Sequence, residues 1–316
     1  MPEYGVLHIA GSSRVHLAGN ERRADALTKH DAADPMSIGN NFIRVLYEDA
    51  DGLIWIGTNV GVYIYNPETE NFRKFDVATE RGDVISREVS SIKCDSSGDL
   101  WIGVNWQGVF RYDRRDESLE LYEPVPGDTT SLSSVHVWDL CFDGDGNLWV
   151  GSQNGGLDRY DRETDRFVRH RLKGLSDVSR IVLDKQNQLL LGTMKDGLFS
   201  FNPYMGTCQP LLLDSGHKDL FVRAIFVRNS REVVVGTENG IYIYDCVTRK
   251  TRHVNQELGN PYSLSCKAVY SIYCDKEGAL WIGTYFGGVN YLPPSSSLIF
   301  DKFYPIGHSD RLSGKA

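Results

Sequence analysis

A short motif of an apolar residue, glycine and a small residue recurs along the chain at nearly constant spacing, and this repeat strongly limits the possible folds. The motif reads Trp-Ile-Gly-Thr at residues 55–58 and again at 281–284. An internal period of 20 to 50 residues is typical of architectures in which each unit is one supersecondary structure. The central glycines are spaced 46, 46, 48, 41, 44 and 47 residues apart: Gly11, Gly57, Gly103, Gly151, Gly192, Gly236 and Gly283.

Each unit contains four short segments with the character of β-strands. An alternating run such as 137–142 ends at an acidic turn, 143–146, and the apolar run to the motif glycine follows. A Gly-apolar-x-x-aromatic segment begins next, as at 108–112, and a fourth short segment completes the unit. Strands joined by hairpin turns form antiparallel sheets, and a single sheet cannot bury both of its faces. We therefore predict an all-β, seven-bladed β-propeller of four-stranded antiparallel blades.

The two ends of the chain differ from the other units. The first unit begins at its second strand, residues 6–9, with no room for an innermost strand before it. The last residues, 312–316, resemble the stretch 264–268 that directly precedes an innermost strand. We therefore expect residues 1–316 to be a single propeller domain whose first blade lacks its innermost strand in this chain. An unpaired inner edge is prone to pairing with other chains, so we also expect this domain to be a segment of a longer protein.

Charge and composition exclude several classes of partner. The chain has 34 basic and 42 acidic residues, for a formal net charge of −8. This balance argues against nucleic acid or an anionic membrane surface as the main partner. No apolar run approaches the roughly 18 to 20 residues of a membrane helix, and the N-terminus lacks the pattern of a signal peptide.

The sequence offers little support for catalysis or for a bound metal. It contains no nucleophile elbow, no His-Glu-x-x-His run and no phosphate-binding glycine loop, so we predict no catalytic residues and no cofactor. Asp143, Asp145 and Asn147 imitate the start of a calcium loop, but Asn154 occupies the position where such a loop needs a bidentate Glu. We interpret this segment as a hairpin turn and predict no metal site.

The repeat resembles a known family. Residues 48–58, followed by 61–66, are similar to the two-component regulator propeller repeat, and so are 95–103, 143–151 and 275–283. In that family, such propellers form the periplasmic sensor region of bacterial hybrid sensor kinases. The kinase parts lie elsewhere in the parent protein, which is anchored in the inner membrane, so this segment itself is not expected to be an enzyme.

The resemblance also implies a ligand and partners. Members of the family typically sense oligosaccharides and switch on genes for the use of polysaccharides. A neighbouring propeller or immunoglobulin-like domain of the same parent chain would contact this one, and the full-length sensor would be a homodimer.

Two loops carry aromatic residues where other units have polar ones. Trp106 and the pair Tyr285 and Phe286 lie between the second and third strands, a position that Lys195 occupies in another unit. In a propeller these loops open on the same face as the loops that join successive blades. Sugars stack on aromatic rings, so we predict that these residues contact a ligand on that face. The alternative is that the rings pack on adjacent loops or on a partner domain.

The innermost strands supply the remaining candidates. Asp139 and Arg180 fall at the variable third position in adjacent blades, where they form either an ion pair or a pair that orients a ligand. His136 directly precedes an innermost strand and can reach the mouth of the channel. Residues one position before the third lie nearer the open face in four units: Arg44, Trp138, Arg223 and Tyr270.

Three classes of function remain open. We favour a non-catalytic propeller that senses a carbohydrate. The first alternative is a propeller enzyme, either a lyase or a glycan-cleaving enzyme, which would gather acid and base side chains at one mouth. The second is a scaffold for protein interaction or domain docking, which would expose a contiguous apolar patch.

Overall fold

The computed structural model describes residues 5–7, 16–18, 30, 31, 33, 34, 36–172, 175–212, 220–294 and 298–303. Within these residues every regular element is a β-strand, and there is no helix. Six four-stranded antiparallel sheets follow one another along the chain, each with its strands in sequential order. The predicted all-β propeller with four-stranded antiparallel blades is therefore confirmed.

The blades are numbered in chain order. Blade 1 has β3 (Ile43–Glu48), β4 (Ile54–Thr58), β5 (Gly61–Asn66) and β6 (Asn71–Lys74), and blade 2 has β7 (Val89–Cys94), β8 (Leu100–Val104), β9 (Gly108–Asp113) and β10 (Ser118–Tyr122). Blade 3 has β11 (Val137–Phe142), β12 (Leu148–Ser152), β13 (Gly156–Asp161) and β14 (Arg166–His170). Blade 4 has β15 (Arg180–Leu183), β16 (Leu189–Gly192), β17 (Leu198–Asn202) and β18 (Thr207–Leu212). Blade 5 has β19 (Val222–Val227), β20 (Glu232–Thr237), β21 (Gly240–Asp245) and β22 (Thr251–Val254), and blade 6 has β23 (Val269–Cys274), β24 (Leu280–Thr284), β25 (Val289–Leu292) and β26 (Asp301–Phe303).

The structure describes six four-stranded blades, not the predicted seven. Of the unit predicted around Gly11, the described residues are β1 (Gly5–Leu7) and β2 (His16–Ala18), which pair as a two-stranded antiparallel sheet. Two strands of three residues each do not make a four-stranded blade. Gly11 and the tail 312–316 lie outside the described residues.

The first strand of each blade lies at the inside of the ring. From β3 to β23, each first strand packs against the first strand of the next blade. Because the strands alternate in direction, the loops between second and third strands open on the same face as the loops that join blades. We call this face the upper face; the two other hairpin turns of each blade lie on the lower face.

Glycine at the repeat motif permits the close approach of neighbouring blades. A Cβ atom placed on any of five motif glycines would lie only 2.6–2.9 Å from the Cγ1 atom of a valine at or just before the first strand of the next blade. Real Cβ atoms do not come this close to carbon, so a larger residue would push the blades apart. The glycine and valine pairs are Gly57 with Val89, Gly103 with Val137, Gly151 with Val178, Gly192 with Val222 and Gly236 with Val269.

The acidic turns are hairpins closed by aspartate, as predicted. Asp143 Oδ1 accepts hydrogen bonds from the backbone N–H groups of Asp145 and Asn147, at 3.0 and 2.9 Å. Its Oδ2 accepts the indole N–H of Trp149 at 2.8 Å. The same aspartate-to-indole bond recurs in blades 1, 2 and 6, with Nε1–Oδ2 distances of 2.7 to 3.0 Å. Three of these tryptophans, Trp55, Trp101 and Trp149, are buried core residues, whereas Trp281 is half-buried.

In two of the blades, a buried polar residue on the third strand holds the loop that leads into the blade. In blade 6, Asn290 Oδ1 accepts the backbone N–H of Ser265, and its Nδ2 donates to Ser265 Oγ, both at 2.8 Å. In blade 3 the equivalent residue is Asp158, whose Oδ2 accepts the N–H of Ser133 at 2.8 Å and its hydroxyl at 2.6 Å. This loop leads to His136 at the upper face.

Asp158 lacks the donor that the amide provides in blade 6. Asn290 Nδ2 also lies 3.5 Å from the carbonyl oxygen of Ile282 on the neighbouring strand. Asp158 Oδ1, in contrast, is buried and has no hydrogen-bond partner among the described residues. Burial raises the pKa of Asp158 to about 6, although the hydrogen bonds from Ser133 act in the opposite direction. A protonated Asp158 could donate a hydrogen bond as the amide of Asn290 does.

We predict that Gly236→Ala lowers the free energy of unfolding by about 1–3 kcal/mol, because the added Cβ would lie 2.6 Å from Val269 Cγ1. The double variant Gly236→Ala, Val269→Ala should lose less than the sum of the two single variants, since the second change removes the clashing atom. Urea denaturation of all four proteins measures this coupling. Strictly additive losses would contradict the proposed close approach.

We predict that the contribution of Asp158 to the free energy of unfolding rises as pH falls from about 7 towards 4. Its pKa in the folded state, about 6, lies above the ordinary value of 3.8, so the folded state binds this proton more tightly. Asp158→Asn should remove this pH dependence and add on the order of 2 kcal/mol at pH 8.

The reciprocal variant is the matched control for this prediction. Asn290→Asp should introduce the same pH dependence in blade 6 and lower stability at pH 8. Urea denaturation at pH 5, 6, 7 and 8 would compare the three proteins. An unchanged pH slope in Asp158→Asn would show that this carboxyl group is not responsible.

Candidate functional site

Irregular pairing of the innermost strands shapes the upper face. In every blade except blade 4, the register between first and second strands shifts by one residue near the upper end of the first strand. Such β-bulges turn a side chain away from the regular alternation. The inserted residues include four that sequence analysis assigned to the open face: Arg44, Trp138, Arg223 and Tyr270.

Several of these side chains meet in a continuous series of rings with an arginine between them. We call this series the aromatic–arginine run, and it consists of Trp138, Phe221, Arg223, Tyr270, Tyr285 and Phe286. The rings of Trp138 and Phe221 lie 6.2 Å apart in edge contact, although the two residues belong to blades 3 and 5. The run therefore extends across the inside of the ring of blades.

Arg223 occupies the middle of the aromatic–arginine run. Its guanidinium carbon lies 3.7 Å from the ring centroid of Phe221 and 4.5 Å from that of Tyr270, within the range of cation–π contacts. Both Nε and Nη2 bond to Glu238 Oε1, at 2.7 and 2.6 Å. These contacts hold the guanidinium plane between the two rings.

The predicted pair Tyr285 and Phe286 forms the exposed end of the run. Tyr285 stacks on Tyr270 with ring centroids 5.0 Å apart and planes 30° apart, and it meets Phe286 edge-on at 4.4 Å. Tyr285 is 43% exposed and Phe286 is 82% exposed. At the other end, the indole N–H of Trp138 is buried without a hydrogen-bond partner among the described residues.

Trp106 belongs to a second, smaller group. Its ring meets that of His136 edge-on at a centroid distance of 4.1 Å, and Trp106 is 66% exposed. His136 Nδ1 lies 3.2 Å from Asn105 Oδ1. The structure thus brings together two predicted residues from blades 2 and 3, but no ring contact or side-chain hydrogen bond among the described residues joins them to the aromatic–arginine run.

Asp139 and Arg180 link innermost strands instead of forming the ion pair that was one of the predicted alternatives. Asp139 accepts the hydroxyl of Ser91 and the backbone N–H of Ile181, both at 3.0 Å. Arg180 donates from Nε to the carbonyl oxygen of Arg223 at 2.6 Å. No ion pair between Asp139 and Arg180 occurs in the described part of the chain. Both side chains instead reach backbone groups of the next blade.

Arg180 also contacts the preceding blade. Its Nη1 donates to the carbonyl oxygens of Ser179 and Trp138, at 3.0 and 3.5 Å. Burial lowers the pKa of Arg180, Asp139 partly offsets this effect, and the positive charges of Arg223 and Arg44 add to it. We call Ser91, Asp139 and Arg180 the channel belt. Its role in orienting a ligand stays a prediction.

The remaining predicted residues lie apart from these groups. Arg44 donates from Nε to Asn59 Oδ1 at 2.7 Å and lies 3.4 Å from Glu88 Oε1. Lys195 is exposed on the loop between the second and third strands of blade 4, where its carbonyl oxygen accepts the N–H of Leu220 at 2.9 Å. Neither contact tests whether these side chains bind a ligand.

Sequence reasoning did not select Phe221, which joins Trp138 to Arg223. The signal was available, because Phe221 directly precedes the first strand of blade 5 as His136 directly precedes that of blade 3. What the sequence did not show was the lateral contact between blades 3 and 5.

The described ranges contain no group of three or more His, Cys, Asp or Glu side chains placed to hold a metal ion. Nor do they include a helix with the length and apolar character needed to cross a membrane.

Comparison with known families identifies the repeats. The family model described as "Two component regulator propeller" matches residues 37–60, 131–154 and 263–286. These segments contain the motif glycines of blades 1, 3 and 6. No curated protein matches the sequence of the chain.

Solved structures share the fold over most of the chain. The extracellular domain assigned to one hybrid two-component system of B. thetaiotaomicron matches with a TM-score of 0.74 and 23% identity, over 92% of this chain and 40% of that domain. A second such domain matches with a TM-score of 0.72 and 18% identity, over 92% and 38%. The chain thus spans two fifths or less of the length of these sensor domains.

An enzyme also shares the propeller fold. Virginiamycin B lyase from Staphylococcus aureus matches with a TM-score of 0.65 and 13% identity, over 84% of this chain and 85% of that enzyme. Identities this low show similarity of fold alone, so the assignment depends on the repeat motif. The family-model matches confirm the predicted resemblance: three segments of this β-propeller match the two-component regulator propeller repeat.

Proposed function

We propose that this chain is a non-catalytic, ligand-sensing propeller from the periplasmic region of a two-component sensor. Two observations support the proposal: the matched repeats and the shared fold with extracellular domains of hybrid two-component systems. Binding of a ligand to the propeller would be passed to a kinase elsewhere in the parent protein, which would regulate genes for the use of polysaccharides.

The aromatic–arginine run is the proposed ligand site, and it is the observation that carries the proposal. It combines exposed ring surfaces at Tyr285 and Phe286 with the fixed polar pair of Arg223 and Glu238. Carbohydrates need both features, since their C–H faces stack on rings and their hydroxyl groups bond to charged side chains. An oligosaccharide is therefore the ligand class that we favour.

Trp106 and His136 would extend this site on the upper face. The exposed ring of Trp106 offers a second stacking surface, and Asn105 beside His136 supplies an amide. An oligosaccharide is long enough to reach separate groups of rings, whereas a monosaccharide is not. We propose that Arg44 and Lys195 contact the ligand from the neighbouring loops.

We further propose that a seventh blade forms around Gly11, which lies 46 residues before Gly57. Residues 1–316 would then be one propeller domain within a longer sensor. The sensor domains that it matches are more than twice as long, which leaves room for a neighbouring propeller or an immunoglobulin-like domain. Dimerisation of the full-length sensor is part of the same proposal.

We predict that at least one neutral or acidic oligosaccharide from a broad panel raises the Tm of the protein. A ligand at about 100 times its Kd adds about 2.7 kcal/mol of stability, which corresponds to a shift of a few degrees. Phe286→Ala and Tyr285→Ala should abolish this shift while the unliganded Tm stays near that of the natural protein.

Tyr204→Ala is the matched control, because Tyr204 is 65% exposed but lies in a turn on the lower face. This variant should keep the full shift. A shift that survives Phe286→Ala and Tyr285→Ala would place the ligand elsewhere. No shift with any saccharide would contradict carbohydrate recognition by this domain.

We predict that removing residues 1–29 lowers the Tm. A seventh blade would cover the faces of blades 1 and 6 that otherwise border the gap in the ring, and its loss would expose apolar surface. Differential scanning calorimetry of the full and shortened chains measures the change. An unchanged Tm would show that these residues do not close the ring.

A further inference from the structure

The lower face contains a cavity of about 380 Å³ between blades 4 and 5. Its lining includes Asp184, Leu190, Ser200, Cys246 and Arg249. The cavity is far from the aromatic–arginine run in the fold, because its residues belong to the lower-face turns and to the middle strands. The cavity arises because blades 4 and 5 have small side chains at positions that larger side chains fill in blades 2 and 3.

In the earlier blades, an arginine from the next blade fills this position. Arg162 follows the last residue of the third strand of blade 3, and its Nη2 lies 2.8 Å from Asp95 Oδ2 in the acidic turn of blade 2. The indole N–H of Trp101 donates to the same oxygen at 3.0 Å. Arg114 reaches Asp49 in blade 1 in the same way, with an Nη2–Oδ2 distance of 3.2 Å.

Smaller residues occupy the equivalent positions around Asp184. Cys246 follows the last residue of the third strand of blade 5, where blade 3 has Arg162. Leu190 stands where blade 2 has Trp101, and the residue paired with it is Ser200, where Trp101 pairs with Arg111. Because these three residues are smaller, they leave a space beside Asp184 that side chains fill in the earlier blades.

The carboxylate of Asp184 remains in its usual place. Its Oδ1 accepts the backbone N–H groups of Gln186 and Gln188, both at 2.8 Å, as in the other acidic turns. Its Oδ2 has no hydrogen bond or ion pair within the described residues. Cys246 lines the same cavity as Asp184. Burial first, and then the charges of Asp184 and Asp245, raise the pKa of its thiol.

We propose that the cavity between blades 4 and 5 binds a guanidinium group, with the free Oδ2 of Asp184 as its ion-pair partner. The same fold places an arginine guanidinium against the same aspartate oxygen at two other blade junctions, so the geometry of the site is already built. This site is independent of the ligand site proposed on the upper face. Its ligand is either a free guanidinium compound or an arginine side chain of a polypeptide.

Isothermal titration calorimetry with L-arginine amide tests the proposal, and L-citrulline amide is the control, because its side chain has the same shape but carries no charge. We expect saturable binding of the arginine compound and binding at least about tenfold weaker for the citrulline compound, since a hydrogen bond to a charged group is lost. Asp184→Asn should cause a similar loss. Equal binding of the two amides, or no binding of the arginine compound, would overturn the proposal.

Two variants separate the cavity from non-specific charge effects. Cys246→Arg would fill the cavity with the arginine found in blade 3 and should abolish binding. Glu163→Gln changes an exposed carboxylate on another blade and should leave binding unchanged. Arg249→Gln removes the cation that lines the cavity and should not weaken binding. Unchanged binding by Cys246→Arg would show that the compound binds elsewhere.

The source of the guanidinium group is distinguished by a second probe. The peptide acetyl-Gly-Arg-Gly-amide should bind at least as tightly as L-arginine amide if the natural partner is a polypeptide. Binding restricted to the free amide would indicate a small molecule. For either source, binding should be lost in the Asp184→Asn variant. Unchanged binding by that variant would contradict the proposed site.

Discussion

Close contact between neighbouring blades is the constraint on which this fold depends. At each described junction between consecutive blades, from blade 1 to blade 6, a valine lies beside the motif glycine. A Cβ atom on that glycine would be closer to the valine than a normal contact between carbon atoms. Only glycine satisfies this requirement, and it must do so once per blade. The regular spacing of these glycines in the sequence is therefore a direct consequence of packing between blades.

Local chemistry made much of the architecture predictable. Hairpin turns closed by aspartate, tryptophans beside them and alternating strands are properties of a few consecutive residues, so the four-stranded blade could be predicted. The blade count was wrong for the described residues because the unit around Gly11 yields two three-residue strands there. The site was harder to predict: Phe221 meets Trp138 only because two non-adjacent blades converge on the channel.

The upper face and the lower face use the repeat in different ways. On the upper face, bulges in the innermost strands insert residues that differ from blade to blade, so the face can be specialised without changing the framework. On the lower face, the aspartate turn is kept and its partners vary: Asp95 has Trp101 and Arg162, whereas Asp184 has neither. On both faces, one blade differs from the others where a repeated position lacks its usual neighbouring residue.

The channel belt alters how the blades depend on one another. In repeat folds, stability is close to a sum over the interfaces between adjacent units, and this sum holds when each interface is formed by its own side chains. Here Arg180 of blade 4 bonds to backbone carbonyls of blades 3 and 5, and Asp139 of blade 3 bonds to blades 2 and 4. Four consecutive blades thus share two side chains. If one of these four blades loses its order, the blades on both sides lose hydrogen bonds. This arc of the ring is therefore a single cooperative element.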